Sequence, residues 1–449
     1  VKTSLKIFGT HEERTIQQLQ RCVDAESGAI GVLCADGHVG YSMPIGGVVA
    51  YRDHVSPSGV GYDIACGNMA VETNLMAEQI PVGDWPKLAD EIQARISFGV
   101  GRKNNEPVDD PVLDDIAHAQ VPQQAAMAQI AAQQLGTVGS GNHYVDVLED
   151  ETGRVWVGVH FGSRGFGHKT AKGFMNIAQG RAFEDGSGEG EMDSPPLLLN
   201  VNTPCGWDYI EAMQLAGQYA SAGREAVVRK VVEILKAKPE FAVHNHHNYA
   251  WRELRENPEG ELNWYWVIRK GATPAESNQY GFVGGSMGDI SVILRGVESE
   301  KSVAALYSTV HGAGRVMSRT QAAGKQKWHK AKWVCGNYRN CPFTAPIAMF
   351  ERSPQGERPT CPACGSKLNR QGARREHLGG GLVDFETEKA VLIQKGIMLR
   401  GAGADEAPPV YRPLAGVLQA HVGTIEVIHT LMPRIVVMAG GDEFDPYKD

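Results

Sequence analysis

Asp63 and Cys66 in GVGYDIACG, His143 in GSGNHYVD, His160 in VHFGSRGFGH, His244 in VHNHHNY and His311 in VHGAGRVMSR are side chains that bind metals or act on phosphate, and glycines flank most of them. A carboxylate and a thiolate three residues apart can chelate one ion or bridge two. A buried cysteine beside a turn aspartate would give the same pattern. Asn142 offers a neutral amide to a phosphate oxygen and His143 an imidazole to a metal; a plain Asn-His turn reads the same way. The GSRG loop after His160 offers backbone N–H groups and Arg164 to a phosphate, or is a tight turn with a surface arginine. Of the histidines at 244, 246 and 247, His244 lies closest to the preceding apolar stretch and is expected to be the ligand. His246 and His247 are expected to be solvated or to stand behind it.

His311 differs in kind. An imidazole among glycines has open access, and it attacks phosphorus at neutral pH if its other nitrogen is held by a hydrogen bond. A further metal ligand is the competing role. From Arg315 through Arg319 to Lys332 six positive charges fall within 18 residues, which suits a polyanion or a solvated helix face. GGSMGD at 284–289 is a weak nucleotide-approach signal. Cys361 and Cys364 in CPACG have the spacing of a zinc knuckle, Cys335 and Cys341 stand about one residue further apart than is usual, and the four together suit a structural zinc in a Pro- and Cys-rich insertion over 333–367. Four reduced thiols without metal are the alternative.

These segments must be brought together by a fold that gathers many strand ends. Apolar patterns predict strands at 30–34, 46–51, 155–160, 265–268, 289–294 and 434–438, and helices at 84–97, 112–135, 208–236 and 415–429. Without a regular alternation of the two, the expectation is α+β, not a doubly wound sheet or an eight-fold barrel. The acidic, glycine-rich stretch 183–195 is expected to be a mobile surface loop. Composition is globular, with 42% hydrophobic and 21% charged residues, and the net charge of −8 argues against a general nucleic-acid coat while allowing a local basic groove. The polar start and the lack of a long apolar run predict no membrane segment and a cytoplasmic location. Scattered cysteines then read as thiols or metal ligands.

Taken together, DGHVGYSMPIGGVVA, GVGYDIACG, GSGNHYVD, HFGSRGFGH, HN at 244–245, GGSMG, HGAGRVMSR and DEAPPVY, in that order, resemble the RtcB family of GTP- and manganese-dependent RNA-splicing ligases. The resemblance implies a single large catalytic domain with mixed sheets around a metal-lined cavity, over 1–332 and 368–449, interrupted by the zinc-ribbon-like insertion and ending in an acidic tail. It implies two Mn2+, one on Asp63, Cys66 and His143 and one on Cys66, His160 and His244. Asn142, Asp146, Ser286, Met287, Gly312, Ala313, Gly314 and Tyr411 would line the GTP site, and Arg164, Arg315 and Arg319 the RNA phosphates. His311 would take GMP from GTP and pass it to an RNA 3′-phosphate, which a 5′-hydroxyl then displaces; a 2′,3′-cyclic phosphate end would first be opened. RNA with such ends, and an archease-like activator, would be the partners.

Two positions depart from the family pattern. Met438 falls where family members carry a nucleotide-contacting lysine, and Asp146 falls where a glutamate is usual. They motivate a rival function, a metal-dependent phosphoesterase on RNA ends with altered nucleotide use. A non-enzymatic zinc-ribbon adaptor for RNA is a third.

Overall fold

The computed structural model describes residues 4–186, 191–350, 357–372, 374–441 and 443. They form two compact units, one made of the described residues up to Met317 together with those from Phe385 onward, the other of those within Ser318–Asp384.

The larger unit is built on two sheets. One has five strands in the order Ser4–Ile7, Ile30–His38, Ile45–Tyr51, Leu262–Lys270 and Asn248–Glu256. The other has eight: Tyr280–Val283, Ser291–Gly296, Ile425–Gly440, Tyr144–Asp150, Arg154–Phe161, Gly67–Met76 and Pro239–His246 in line, with Met398–Ala402 branching from Ile425–Gly440. Parallel and antiparallel pairs are mixed, as an α+β fold requires. Val32, Val48 and Val267 of the first sheet share an apolar layer with Val283, Val292 and Leu294 of the second.

Helices cover the outer faces. The long helix Pro204–Ile234 serves both sheets. It starts with Thr203 accepting the Gly206 N–H and Pro204 in the first turn, where a missing N–H costs nothing. Tyr209, Met213 and Tyr219 join the core beneath Leu33, Val49 and Ile268, whereas Val227 and Val231 pack under Val145, Val147, Val157 and Val159. Burying such valines contributes about 2 kcal/mol each. Among the described residues no helix is long and apolar enough to cross a membrane.

Three expectations change. The helix over 112–135 is three short pieces, Val112–Ala117, Pro122–Ala125 and Ala128–Gln134, because Pro122 can begin a helix but not continue one. The helix over 415–429 ends at Gln419; Gly423 turns at φ +94°, and Ile425 onward is strand, paired with Ser291–Gly296. The described part of 183–195 is anchored: Asp193 pairs with Arg14 and Arg21 at 2.7 and 2.9 Å, and Met192 O accepts from Ser42 N. Residues 187–190 and the acidic tail with Lys448 lie outside the described residues.

The smaller unit extends beyond 333–367 at both ends, because the strand Lys325–His329 pairs with Arg374–Gly379. Within it Lys332–Cys335 is the central strand between Thr344–Pro346 and Leu368–Gln371. Its core is Trp333, Ala345, Leu368 and three of the four cysteines.

Candidate metal centre and nucleophile

The candidate residues of the larger unit gather where the two sheets meet. Cys66 precedes the strand Gly67–Met76, His143 precedes Tyr144–Asp150, and His160 lies near the end of Arg154–Phe161. Asp63 and Cys66 share a tight turn, with Cys66 N donating to Asp63 O at 3.0 Å. Ala65 inside it has φ +56°, a region that costs a non-glycine residue energy. Both its backbone groups are pinned, the N–H to Asn248 O at 2.7 Å and the carbonyl by Arg224 Nη1 at 2.9 Å.

Asp63 Oδ2 stands 3.1 Å from His143 Nε2, and Cys66 Sγ is 3.6 Å from that nitrogen and 3.3 Å from His160 Nε2. His143 Nδ1 lies 3.0 Å from Val138 O; a proton donated there leaves the Nε2 lone pair facing Asp63 and Cys66. Gly162 is obligatory, since a Cβ would come within 2.1 Å of Asp63 Oδ1.

Electrostatics prepare the set for a cation. Burial alone would raise the Asp63 carboxyl, but the hydrogen bond and charge of His143, with Arg164, bring it down to about 2. Burial holds His160 and His247 well below the ordinary imidazole range, so both rings are neutral at neutral pH, as metal ligation requires. The Cys66 thiol is pushed well up by burial and by Asp63. A bound cation would reverse that, because it deprotonates a coordinating thiol.

His244 does not join the set. In the strand Pro239–His246, His244 lies opposite Met69 and His246 opposite Gly67, whereas His160 lies opposite Asn68. Alternate residues face opposite sides of a sheet, so His244 and His246 face the long helix. Arg224 meets them there, with Nε donating to His244 Nε2 and Nη2 lying beside His246 Nδ1, both at 2.8 Å. Glu225 stands 3.7 Å from the remaining His244 nitrogen. The residue that joins Cys66 and His160 is His247, 2% exposed, at the point where the chain leaves one sheet for the other. Its Nδ1 is a buried polar atom with no hydrogen-bond partner among the described residues. HN occurs twice in the sequence, at 244 and at 247, and strand parity selects the second.

The ligand atoms of Asp63, Cys66 and His143, and those of Cys66, His160 and His247, lie within 4.8 Å of one another in each group. Two trios sharing one thiol fit a pair of divalent cations.

The imidazoles continue toward His311. Ring centres step from His143 to His160 in 5.6 Å, to His247 in 4.9 Å and to His311 in 4.8 Å. His311 Nδ1 lies 2.7 Å from Asp36 Oδ2, which also accepts the His311 backbone N–H at 3.0 Å. Asp36 is fully buried; burial alone would raise its carboxyl, yet these bonds and the His311 charge hold it below the ordinary range. Gly271, at φ +60°, leaves room for the His311 ring 3.0 Å from where a Cβ would be. Sequence reasoning missed Asp36 as a partner, although this residue opens the DGHVG motif.

Tyr144, Asp146 and Met438 share the sheet face of His160, since Tyr144 lies opposite both His160 and Met438, and Asp146 opposite Gly158 and Val436. Met287 packs with Tyr144 and Met438. Asp146 Oδ1 and Tyr144 Oη are buried without partners among the described residues, and burial raises the Asp146 carboxyl well above its ordinary value. Ser286 lies in the turn beside Met287, and Asn142 is exposed beside His143. Gly312 bridges to Gly284, Ala313 is buried, and Gly314 packs on the Asp36 backbone.

Arg315 is engaged within the protein. Its guanidinium donates to Tyr411 Oη at 3.1 Å and Asp405 O at 2.9 Å and pairs with buried Glu406, so it and Tyr411 brace the loop after His311. Arg164 is turned toward His143 Nδ1, 3.1 Å away. Arg319 belongs to the smaller unit, in the helix Arg319–Ala323.

In the smaller unit Cys335, Cys341, Cys361 and Cys364 bring their sulfurs together, with Sγ–Sγ distances of 3.2 Å (335–364) and 3.8 Å (341–361). Zinc–sulfur bonds of about 2.3 Å in a tetrahedron give edges of about 3.8 Å. A hydrogen bond from Ser366 lowers the Cys364 thiol to about 6, whereas burial raises Cys335 to about 12.

A family model described as tRNA-splicing ligase RtcB matches residues 22–126 and 112–335. The RNA-splicing ligase RtcB of Escherichia coli (strain K12) is 33% identical over 315 residues, covering 64% of this chain and 74% of that protein. The tRNA-splicing ligase RtcB of Thermococcus kodakarensis is 32% identical over 366 residues, covering 65% and 73%. That of Aeropyrum pernix is 30% identical over 364 residues, covering 65% and 74%. With a family model matched over more than half of its length and relatives at 30–33% identity, the chain belongs to the RtcB family.

Proposed function

We propose that this protein is an RNA ligase that joins 3′-phosphate or 2′,3′-cyclic phosphate ends to 5′-hydroxyl ends. The observation that carries the reading is the Asp36–His311 pair, 2.7 Å apart, beside the imidazole chain from Cys66. Asp36 accepts the Nδ1 proton and fixes the tautomer, which leaves His311 Nε2 with a free lone pair. That nitrogen attacks the α-phosphorus of GTP; the P–N bond forms and the bond to pyrophosphate breaks. An RNA 3′-phosphate oxygen then takes the GMP and frees His311. The 5′-hydroxyl attacks the 3′-phosphorus, GMP leaves, and the strand closes. Two divalent cations on Asp63, Cys66, His143, His160 and His247 would neutralise phosphate charge when bound. Manganese is the family's ion; the ligand set alone leans toward zinc. The four cysteines of Ser318–Asp384 would hold a structural zinc, which would stabilise a unit with so small a core.

Incubation with Mn2+ and α-labelled GTP should give an acid-labile, alkali-stable adduct that His311→Ala loses. A metal-loaded wild type without adduct would sink the reading.

A second reading has one observation behind it. Among the described residues Asp146 Oδ1 has no hydrogen-bond partner, and Met438 stands on the same sheet face where the family pattern has a lysine. A phosphoesterase on RNA ends gains if GTP and ATP bind equally or not at all.

A further inference from the structure

Charge is divided sharply along this chain. Ser318–Asp384 carries twelve Lys and Arg against four Asp and Glu, a formal +8 in a protein whose total is −8. The remainder is therefore at −16. Lys325, Lys327, Lys330 and Lys332 are exposed along one stretch that runs from the strand Lys325–His329 into Lys332–Cys335. Lys367 and Arg370 are exposed at and just before the neighbouring strand Leu368–Gln371. Among the described residues, none of these six pairs with a carboxylate. In the larger unit, by contrast, Arg14, Arg95, Arg154 and Arg434 each pair with an acid. Unbalanced cations repel one another, a cost that a polyanion relieves.

An independent feature lies on the same unit. Tyr338, 63% exposed, occupies the turn between Cys335 and Cys341. Both cysteines that flank the turn are buried beside Trp333, and Asn337 O within it accepts from Asn340 N at 3.0 Å and Cys341 N at 2.8 Å. An exposed aromatic ring on the same small unit as unpaired cations is the combination that stacks an unpaired base while lysines follow the phosphates.

We propose that Ser318–Asp384 is an RNA-holding module, which grips single-stranded RNA flanking the ends to be joined. The lysine run contacts phosphates without reading sequence, and Tyr338 stacks on a base. The proposal rests on the RNA-ligase reading for its substrate, and on the module's own charge and aromatic exposure for its mechanism. It assigns affinity for long RNA to the module and leaves nucleotidyl transfer to His311 independent of it.

The test uses the full chain with zinc and manganese bound. Anisotropy of a fluorescein-labelled single-stranded oligoribonucleotide is followed across a KCl series for wild type, for K325Q/K327Q/K330Q/K332Q, and for Tyr338→Ala. Zinc content, measured for each variant, confirms that the module is folded. The quadruple variant should bind about tenfold or more weakly, with the log–log salt slope reduced by about 3, near 0.7 for each phosphate that is no longer neutralised. Tyr338→Ala should weaken binding at an unchanged slope. Labelling of His311 by GTP should be as in wild type. Unchanged affinity and slope in both variants overturn the proposal, as does tighter binding of a duplex than of the single strand. If wild type forms no adduct but its RNA affinity still depends on the module, the ligase reading falls and the module's role stands.

Discussion

Asp36 Oδ2 lies 2.7 Å from His311 Nδ1, although 275 residues separate the two in the chain. The carboxylate also takes the His311 and Gly312 backbone N–H groups, so one buried oxygen sets both the ring and the loop that carries it. His311→Ala removes the nucleophile, but Asp36→Asn asks a finer question. The amide keeps the shape and loses the charge and the fixed tautomer. Labelling of His311 by GTP should fall on the order of 10²- to 10⁴-fold with metal content unchanged. Wild-type labelling in Asp36→Asn would remove Asp36 from the mechanism.

His247 and His244 differ by one strand step in parity, and metal content should tell them apart. His247→Ala should lose one of two bound Mn2+ per chain, because its trio with Cys66 and His160 loses a ligand. His244→Ala should keep both, since that side chain is engaged by Arg224. Mass spectrometry under native conditions reads the stoichiometry; the reverse pattern would reinstate His244.

Arg224 is fully buried and braces the metal turn from behind, through Ala65 O, Phe161 O, His244 and His246. Arg224→Met should destabilise the protein by about 3 kcal/mol, because several acceptors lose their donor at once. Mn2+ affinity should drop as well, as the strained Ala65 relaxes. Denaturant titration with and without Mn2+ measures both; a change under about 0.5 kcal/mol would contradict the bracing role.

Asp146 predicts an inverted pH dependence. Burial raises its carboxyl well above 3.8, so the folded protein keeps a proton that the unfolded chain has lost. The unfolded state then binds fewer protons, and this group's contribution falls as pH rises from its ordinary value toward its raised one. Asp146→Asn should remove that slope. In nucleotide-free protein the variant's melting temperature should gain on wild type as pH rises above the ordinary carboxylate range. A constant difference would mean that Asp146 is ionised in the fold.

Chelation should separate the two units. Stripping zinc from the four cysteines should melt Ser318–Asp384, whose core is Trp333, Leu368 and the cysteines themselves. The larger unit, with its own cores, should keep its melting transition. Amide exchange localised to the smaller unit is the expected signature; protection there in the metal-free protein would argue against a structural ion.

Local pattern made most of this protein legible. Apolar runs mark the strands near Ile30, Ile45 and Arg154 and the helix near Pro204 because periodicity is a property of neighbours in sequence. Residue type and glycine context mark Asp63, Cys66, His143, His160 and His311 as chemical, and the Cys361–Cys364 spacing marks a metal knuckle. Ile425 and Ile428 read as helix because i, i+3 spacing fits either structure over so short a stretch; pairing with Ser291–Gly296 decided for strand.

What the sequence determined by itself was therefore the chemistry available and its family. Tertiary structure alone decided which copies of that chemistry meet. His247 and not His244 stands with Cys66 and His160 because His244 takes the strand face turned to the long helix, whereas His247 lies just past the strand's end, and that face is known only once Gly67–Met76 is paired. Arg315 turns to Glu406 and Asp36 to His311 across 91 and 275 residues of chain, a reach that no local pattern encodes.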